Sequence, residues 1–284
     1  MSVWLGTSVG SMVETLCASE LPVSAEDRAQ VGGGAGTLAP VRVRVVSSFG
    51  AGGRTWQFSR AAHGAHEANT VVSLARAQAR SGGYLRMVPC NAPFMNMLTP
   101  QASEEFAGWT GALSEAGGVA VTDPVYTDGT SYAGTSVVLG SGAAQSPVVP
   151  LLGFTSARFG CFVRRVGFGG VSVTMEAVDA TGSVVASSSP SPSLMATMMR
   201  ATWLWEGIPS SAVGVRFRVS ADGVAGGFLR LAWPSITLGT RLPRFHPGQC
   251  ADAVWLSPLA HTPTLLTPER AITGTSYEIR EVGV

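Results

Sequence analysis

The residues with the most metal-like spacing are His63 and His66, which are separated by Gly64 and Ala65 and followed by Glu67. Two histidines and a carboxylate on one helix face would be able to bind zinc. The zinc-protease patterns are His-Glu-x-x-His and His-x-x-Glu-His, and this segment matches neither. Gly64 also disfavours a regular helix at this point. We therefore interpret the segment as a polar loop before a helix, and we expect no metal ligands.

Nucleophilic and phosphate-binding motifs are equally weak. A serine nucleophile is expected in a Gly-x-Ser-x-Gly elbow between a strand and a helix, and the chain lacks that pattern. Gly140-Ser141-Gly142 falls in a predicted Gly/Ala loop with no following helix. The tracts Gly32-Gly33-Gly34 and Gly167-Phe168-Gly169-Gly170 lack the Lys-Ser/Thr of a phosphate loop. We interpret these glycines as turns and expect no cofactor.

Paired carboxylates would indicate a glycoside hydrolase. Acidic residues are few, and we expect Glu176 to stand alone on the outward face of a strand. No pair has an evident reason to converge, so we predict no catalytic residues and a chain that is not an enzyme. An envelope-degrading hydrolase stays as a second alternative. The carboxylates considered are Glu104, Glu105, Glu176, Glu278 and Glu281.

Four aspartates fall in predicted turns. There they either hold a structural calcium with backbone carbonyls or form Asx turns that need no metal. We favour Asx turns. These aspartates are Asp123, Asp128, Asp179 and Asp222.

Tryptophan is the residue most suited to stack on a sugar ring. Most of the seven tryptophans fall on predicted strands, where one face is core, so packing is favoured over a sugar platform. Trp203 and Trp205 share a face and are expected to pack inward or against another domain. The seven are Trp4, Trp56, Trp109, Trp203, Trp205, Trp233 and Trp255.

The composition excludes several classes of protein. Charged residues make up 13% of the 284 residues and the net charge is +1, which lacks the basic footprint of a nucleic-acid binder. No apolar run approaches the ~18–20 residues of a membrane span, so we expect no membrane insertion. The start has no basic, apolar leader, which indicates synthesis in a cytoplasm. Four scattered cysteines form no CxxC pair and are interpreted as buried thiols: Cys17, Cys90, Cys161 and Cys250.

The first region reads as a small β structure with one helix. Val41, Val43 and Val45 alternate with arginines, and Trp56 and Phe58 alternate with polar residues, which predicts two strands joined by a Gly-rich hairpin at 47–53. A helix is predicted over Glu67–Arg80, stopped by Gly82-Gly83 and followed by a strand. The apolar face of that helix comprises Val71, Leu74, Ala75 and Ala79, and the strand is Tyr84–Val88.

Residues 91–108 are predicted to be a connection, and Ser103–Leu113 is left open between helix and loop. From Trp109 onward, apolar residues alternate with polar ones in short runs separated by turns, which is typical of a sandwich or jelly roll. The inward residues include Val215, Phe217 and Trp233. The predicted fold class is all-β with one short helix: a small β-sandwich domain at 1–104, then an antiparallel jelly-roll (galactose-binding-like) sandwich at 105–284. The three clearest runs are Val171–Ala177, Val213–Ser220 and Leu229–Trp233.

Two segments of the first region carry a resemblance. Trp4-Leu5-Gly6, followed by Gly10 and Met12-Val13, and the later Arg54-Thr55-Trp56 resemble segments of minor tail proteins of siphophages that infect actinobacteria. The region is also similar in outline to the β-domain of distal tail proteins, which form rings at the tail tip. It departs from the pattern at Gln30–Thr37, where a glycine tract replaces Arg-rich turns.

The second region resembles the jelly roll that follows in such tail proteins, a fold shared with carbohydrate-binding modules and galactose-binding-like domains. The resemblance rests on Phe159–Arg164, Val171–Ala177, Leu231–Gly239, Pro243–Gly248 and Ala253–Leu256.

This resemblance implies a structural minor tail protein of a phage virion, which assembles at the tail tip and presents an outward jelly roll. Its expected partners are other phage tail proteins and copies of itself in threefold or sixfold symmetry. The expected location is the virion tail. The alternative is a carbohydrate-binding module that recognises host cell-wall glycans. Neither reading assigns ligand-binding residues.

Overall fold

The chain divides into two compact units. The computed structural model describes residues 2–17, 29–30, 41–46, 54–89, 91–122, 131–167, 170–190, 197–221, 227–241, 244–257, 260–266 and 271–282. One unit comprises residues 1–90 together with 251–284, and the other comprises residues 91–250. The predicted boundary after residue 104 differs from this division, because strands near the carboxyl end return to pair with strands near the amino end.

The first unit is an antiparallel sheet with a helix against it. The sheet order is β2-β1-β6-β16-β18-β5-β4-β3, and β17 pairs with β18. A short 3-10 helix, Val9–Ser11, joins the first two strands. The elements are β1 (Ser2–Gly6), β2 (Val13–Cys17), β3 (Ala29–Gln30), β4 (Val41–Val46), β5 (Thr55–Gly64), α1 (Ala65–Ser81), β6 (Leu85–Val88), β16 (Ala251–Leu256), β17 (Ala260–Leu266) and β18 (Ala271–Glu281).

Helix α1 confirms the predicted helix, but the predicted apolar face was wrong at one position. Val71 is buried against the sheet, with Leu74 and Ala75 beside it. Ala79 is exposed, and Gln78 takes the inward position, 1% exposed. The Gln78 amide donates to Val254 O (2.8 Å) and accepts from Leu256 N (2.9 Å), which fastens the helix to β16. Gly82 stops the helix with φ +65°, as predicted.

The second unit is a jelly-roll sandwich that also contains two short helices. Its strand order is β12-β11-β14-β8-β15-β10-β13, with β7 on β8 and β9 on β14. The elements are α2 (Ala92–Met95), α3 (Pro100–Glu104), β7 (Thr110–Thr122), β8 (Ser131–Gln145), β9 (Val149–Pro150), β10 (Ser156–Val166), β11 (Val171–Val178), β12 (Val184–Ser188), β13 (Met199–Glu206), β14 (Gly214–Ala221) and β15 (Phe228–Leu238).

Strand β8 is shared by the two halves of the sheet of the second unit. That strand pairs with β15 through residues 137–139 and with β14 through residues 142–145. Phe217 of β14 stacks on Phe159 of β10 and lies beside Trp203 of β13. Strand β14 is next to neither β10 nor β13 in the sheet order. The two halves therefore face each other across a core, which confirms the predicted sandwich and the inward positions of Val215 and Phe217.

Two local predictions are corrected in this unit. The predicted connection at 91–108 contains the two short helices α2 and α3. Ser103–Leu113, which was left open between helix and loop, holds the last residues of α3 and the first residues of β7. Trp233 is buried, but not in the inter-sheet core. It has φ +47° beside Pro234 in a β-bulge, which turns its ring onto Phe162 and Phe245 on the opposite face of the sheet.

Asn96 joins the two ends of the jelly-roll unit. Its side chain accepts from Leu98 N and Ile236 N and donates to Pro234 O and His246 O. Its own carbonyl accepts from Gln249 N at 3.1 Å. Because Asn96 is fully buried with these bonds made, it holds the entry segment, β15 and the exit segment together.

The predicted hairpin connection at 47–53 and the turn at Asp128-Gly129 lie outside the described residues. Within the part of the chain that is described, no helix is both long and apolar enough to cross a membrane.

Candidate functional site

A groove of about 340 Å³ opens on the outer face of the jelly-roll sheet, where β7, β10, the start of β13 and β15 meet. We call it the arginine groove. It is lined by Val119, Arg164, Thr197, Met198 and Arg230.

The floor of the arginine groove is apolar. Val119 and Met198 are half-buried and pack on a cluster that includes Phe162 and Trp233. The rings of Phe162 and Trp233 meet edge to face, with centroids 5.5 Å apart. The bulge that reorients Trp233 thus builds the support beneath the groove.

Arg230 forms one fixed side of the groove. Its Nε donates to Ser136 Oγ at 2.7 Å. Its Nη2 donates to the carbonyls of Ala116 (3.0 Å) and Gly118 (3.1 Å), with Gly117 O at 3.4 Å. Ser136 is fully buried and itself donates to Gly117 O. The guanidinium is therefore held in one orientation, and Nη1 has no hydrogen-bond partner among the described residues.

Arg164 stands directly opposite Arg230 in the antiparallel register of β10 and β15. Opposite residues in such a pair place their Cβ atoms roughly 5 Å apart, and like charges there repel. Arg164 is exposed and Arg230 is half-buried. The arginine groove is thus lined by two positive charges.

Further positive charge borders the same face. Arg200 of β13 stands opposite Phe162 of β10, next to the cluster under the groove. Burial lowers the pKa of His246, and the guanidinium groups of Arg200 and Arg244 lower it further. An imidazole in this position responds to a positive local potential.

A second exposed surface lies on the first unit, and we call it the aromatic face. Tyr84 (52% exposed) and Trp255 (37% exposed) meet edge to face with ring centroids 6.5 Å apart. Nearby, Arg86 of β6 and Asp252 of β16 form an ion pair of 3.3 Å, with Arg86 half-buried and Asp252 exposed. Arg280 of β18 stands opposite Trp255. An exposed aromatic pair with arginines on either side has the composition of a binding surface.

The sequence-predicted metal cluster lies at a junction. β5 ends at Gly64 and α1 begins at Ala65, so the predicted loop is in fact a direct strand-to-helix transition. The side chains from His63 to Glu67 lie outside the described set. Among the described side chains, no three His, Cys, Asp or Glu residues come together as metal ligands.

The glycine motifs fall in different places. Gly140-Ser141-Gly142 is exposed within β8 rather than in a loop, at the point where β8 passes from β15 to β14. Gly167 has φ +82°, consistent with a turn. Gly32-Gly33-Gly34 and residues 168–169 lie outside the described part of the chain.

Three of the five carboxylates that were considered as catalytic candidates form ion pairs with arginine side chains. Glu278 pairs with Arg280, and Glu281 binds Arg54 at 2.8 Å. Glu176 is not on an open outward face as predicted, because it is only 7% exposed beneath Arg216, which donates to it at 2.7 Å, and Gln145. The other two, Glu104 and Glu105, adjoin each other at the end of α3. Burial, and then Glu105, raise the pKa of Glu104.

Asp179 adopts the predicted Asx arrangement. Its Oδ1 accepts from Thr181 N, Thr181 Oγ1 and Ser183 N, and chiefly the Thr181 hydroxyl lowers the pKa of this carboxylate. Asp123, Asp128 and Asp222 lie outside the described residues. Cys161 and Cys250 are buried free thiols, and burial raises the pKa of Cys161 to about 12. A thiol with such a pKa is protonated at neutral pH and is inert.

The tryptophans divide between core and surface. Trp56, Trp203 and Trp233 are buried as expected, whereas Trp255 is exposed on the aromatic face. The sequence did not indicate that Arg230 lies opposite Arg164, because the two positions lie on strands far apart in the chain.

No family model and no curated protein matches the chain. Among solved structures, the enzymatically active domain of bacteriophage CBA120 tailspike protein 4 is similar at 16% identity and a TM-score of 0.36, over 52% of this chain. The match spans only 22% of that tailspike chain.

Two carbohydrate-binding proteins are similar over about half of this chain. TmCBM61, solved with β-1,4-galactotriose, matches 51% of this chain and 99% of its own at 16% identity and a TM-score of 0.32. The CBM22-1 xylan-binding domain of Paenibacillus barcinonensis Xyn10C matches 52% and 96% at 11% identity and a TM-score of 0.31. Similarity of this size does not carry a ligand from one protein to another. The chain is a mostly β protein whose jelly-roll unit bears an arginine-lined groove.

Proposed function

We propose that the jelly-roll unit binds a saccharide in the arginine groove without cleaving it. The observation that carries this proposal is the combination of an apolar floor, Val119 and Met198, with hydrogen-bond donors from Arg164, Thr197 and Arg230. A sugar ring presents C–H groups on its faces and hydroxyls around its edge. Such a ring meets both halves of the groove, which is of the size, roughly 300–1,000 Å³, usual for small-ligand sites.

Calorimetric titration of the full chain with neutral and charged oligosaccharides tests this proposal. We expect Met198→Ala to weaken binding about fivefold, because it removes apolar contact from the floor. Met199→Ala is the matched control: Met199 is the next residue, does not line the groove, and is expected to leave the affinity unchanged. Failure of every saccharide to bind at millimolar concentration would contradict the proposal.

The absence of cleavage is a separate part of the proposal. It is supported by the ion pairs of Glu176, Glu278 and Glu281, which hold these carboxylates on arginines rather than in the groove. After prolonged incubation with the chain, chromatography should recover each oligosaccharide intact. Shortened products that disappear with a groove variant would overturn this part.

A structural role in a phage tail tip is the second candidate. It rests on the resemblance carried by Trp4-Leu5-Gly6 and Arg54-Thr55-Trp56, segments that lie in one sheet as β1 and the start of β5. The aromatic face on that unit combines Trp255, Tyr84 and arginines, the residue types enriched where proteins dock. The jelly roll is inserted between β6 and β16, so the chain tethers it at both ends, which suits a displayed module.

Under this second candidate, the first unit docks on neighbouring tail proteins and on copies of itself in threefold or sixfold symmetry. Cryo-electron microscopy of the particle is the test. Trp255→Ser should reduce incorporation of the chain into the particle. A tail map without density for this chain would rule the candidate out.

A further inference from the structure

We infer that a hydrogen-bond acceptor the size of one atom, either a water oxygen or a halide ion, binds between Arg158 of β10 and Thr237 of β15. Both side chains lie on the outer face of the jelly-roll sheet. The site is separate from the arginine groove, because Arg158 lies six positions along β10 from Arg164, roughly 20 Å at 3.3 Å per residue. The inference therefore does not depend on the proposed function.

The strand register brings the two side chains together. Arg158 and Thr237 stand directly opposite each other in the antiparallel pairing of β10 and β15. Opposite residues of this kind place their Cβ atoms roughly 5 Å apart. Phe159, the next residue of β10, stacks on Phe217 in the inter-sheet core, so the alternation along the strand places Arg158 and Thr237 on the other face. The two side chains thus border the same small volume.

Each of these side chains has a buried polar atom with no hydrogen-bond partner among the described residues. The two atoms are Arg158 Nε and Thr237 Oγ1. Thr237 is only 3% exposed, so bulk solvent does not reach its hydroxyl. Leaving a buried donor or acceptor unsatisfied is destabilising, and folded proteins satisfy such atoms with protein groups, ordered water or ions.

The neighbouring groups do not supply the missing partner. Ser235, on the same face of β15, donates its hydroxyl proton to the backbone at 3.3 Å. Arg158 Nη2 donates to Thr240 O at 2.9 Å, which fixes the guanidinium while its Nε stays without an acceptor. On its other side Arg158 stands opposite Leu204 of β13, whose side chain offers no acceptor.

The chemistry of the two atoms defines the ligand. Arg158 Nε only donates, whereas the Thr237 hydroxyl both donates and accepts, so one acceptor atom between them satisfies both groups. Burial lowers the pKa of Arg158 against the attraction of Glu206, and Arg200 lowers it further, so the cation is incompletely stabilised here. A halide is attracted by this cation, and a water molecule can also donate to the hydroxyl.

Diffraction from crystals of the full chain, one set in sodium chloride and one soaked in sodium bromide, separates the two sources. We expect a density peak within hydrogen-bonding distance of Arg158 Nε and Thr237 Oγ1 in both sets. An anomalous bromine signal at the peak identifies a halide, and a peak without that signal identifies water. Absence of the peak, or a direct bond from Nε to Oγ1, would overturn the inference.

Urea unfolding of Thr237→Val tests the site in solution. With an acceptor bound, the variant loses a hydrogen bond, and we expect its unfolding equilibrium constant to rise about fivefold. Without an acceptor, removing an unsatisfied buried hydroxyl would lower that constant, so the sign of the change decides. Thr202→Val, a half-buried position on the same face of β13, is the matched control and should change the constant less than about twofold.

A halide adds a dependence on the kind of salt. The parent chain should then be more stable in sodium chloride than in sodium gluconate of equal ionic strength, because only the folded state binds the ion. The difference should vanish in Thr237→Val. Equal stability in the two salts, with the density peak present, assigns the site to water. A Thr237→Val chain as stable as the parent chain would contradict both forms of the inference.

Discussion

Two antiparallel strand pairs of the jelly-roll unit differ in the residue that stands opposite an arginine. Between β11 and β14, Arg216 stands opposite Glu176, and Arg218 lies 3.7 Å from the same carboxylate. Between β10 and β15, Arg164 stands opposite Arg230. The first pair is compensated within the fold and serves stability. The second pair sets two arginines opposite each other, and both line a groove.

This difference separates charges that are paired with a carboxylate across the sheet from charges that line a groove. Glu176 is buried beneath Arg216, so removing its charge leaves that half-buried cation without its anion. Arg164 is exposed, so removing it relieves a repulsion. Stability and binding should therefore respond in opposite directions at the two strand pairs.

The largest expected effect is at Glu176. Glu176→Gln should lower the free energy of unfolding by about 2–3 kcal/mol, because Arg216 loses the anion that offsets its partial burial. Urea unfolding monitored by tryptophan fluorescence measures this change. Glu206→Gln, at an exposed strand end, is the control and should stay within about 0.5 kcal/mol of the parent chain. A loss at Glu176 no larger than this control would remove the stabilising half of the comparison.

Ser136 is expected to show the next largest effect. Ser136→Ala removes the acceptor of Arg230 Nε and a donor to Gly117 O, and should cost about 1–2 kcal/mol. It should also weaken saccharide binding in the arginine groove, since Arg230 is no longer held in place. Ser114→Ala, whose exposed hydroxyl makes only a 3.4 Å contact with Val138 O, is the control. Loss of stability with unchanged binding would show that orientation of Arg230 does not matter to the ligand.

At Arg164 the expected change in stability is small and favourable. Arg164→Glu converts the like-charge pair into an opposite-charge pair and should raise the free energy of unfolding by roughly 0.2–1 kcal/mol. The same variant should bind saccharide more weakly, because the groove loses the guanidinium donor of Arg164. Chemical denaturation and titration on one protein preparation measure both. A destabilised variant would show that Arg164 serves the fold.

Salt should produce the smallest effect. The stability difference between Arg164→Gln and the parent chain, a few tenths of a kcal/mol, should shrink as ionic strength rises from 0.1 M to 1 M and the Debye length falls from about 10 Å to about 3 Å. Parallel urea unfolding at the two salt concentrations measures it. A difference that persists at 1 M would come from packing rather than from charge.

Local periodicity predicted many of the strands and the helix α1, but it did not predict which distant strands pair with each other. Alternating residues identified β4, β11 and β14, and the helical stripe with its glycine stop identified α1. Gln78 was missed because a polar residue does not register as part of an apolar face, although its burial depends on two bonds to β16. Nothing local indicated that β18 pairs with β5.

The candidate site shows the same limit. The outward position of Arg230 follows from its strand, but its neighbour Arg164 depends on the register between β10 and β15. The floor depends on Trp233, whose positive φ beside Pro234 broke the predicted alternation. A non-glycine residue rarely adopts that conformation, so its inward assignment failed.

The discontinuity of the first unit has a consequence for synthesis. A ribosome completes residues 91–250 before it makes β16 and β18. Until then β6 and β5 can pair with β1 and β4 on one side, but each lacks its neighbour on the other side. The unpaired edges of β5 and β6 are sites at which nascent chains aggregate. A nonsense codon between residues 250 and 271 would therefore spare the jelly roll and leave the first unit unable to close its sheet.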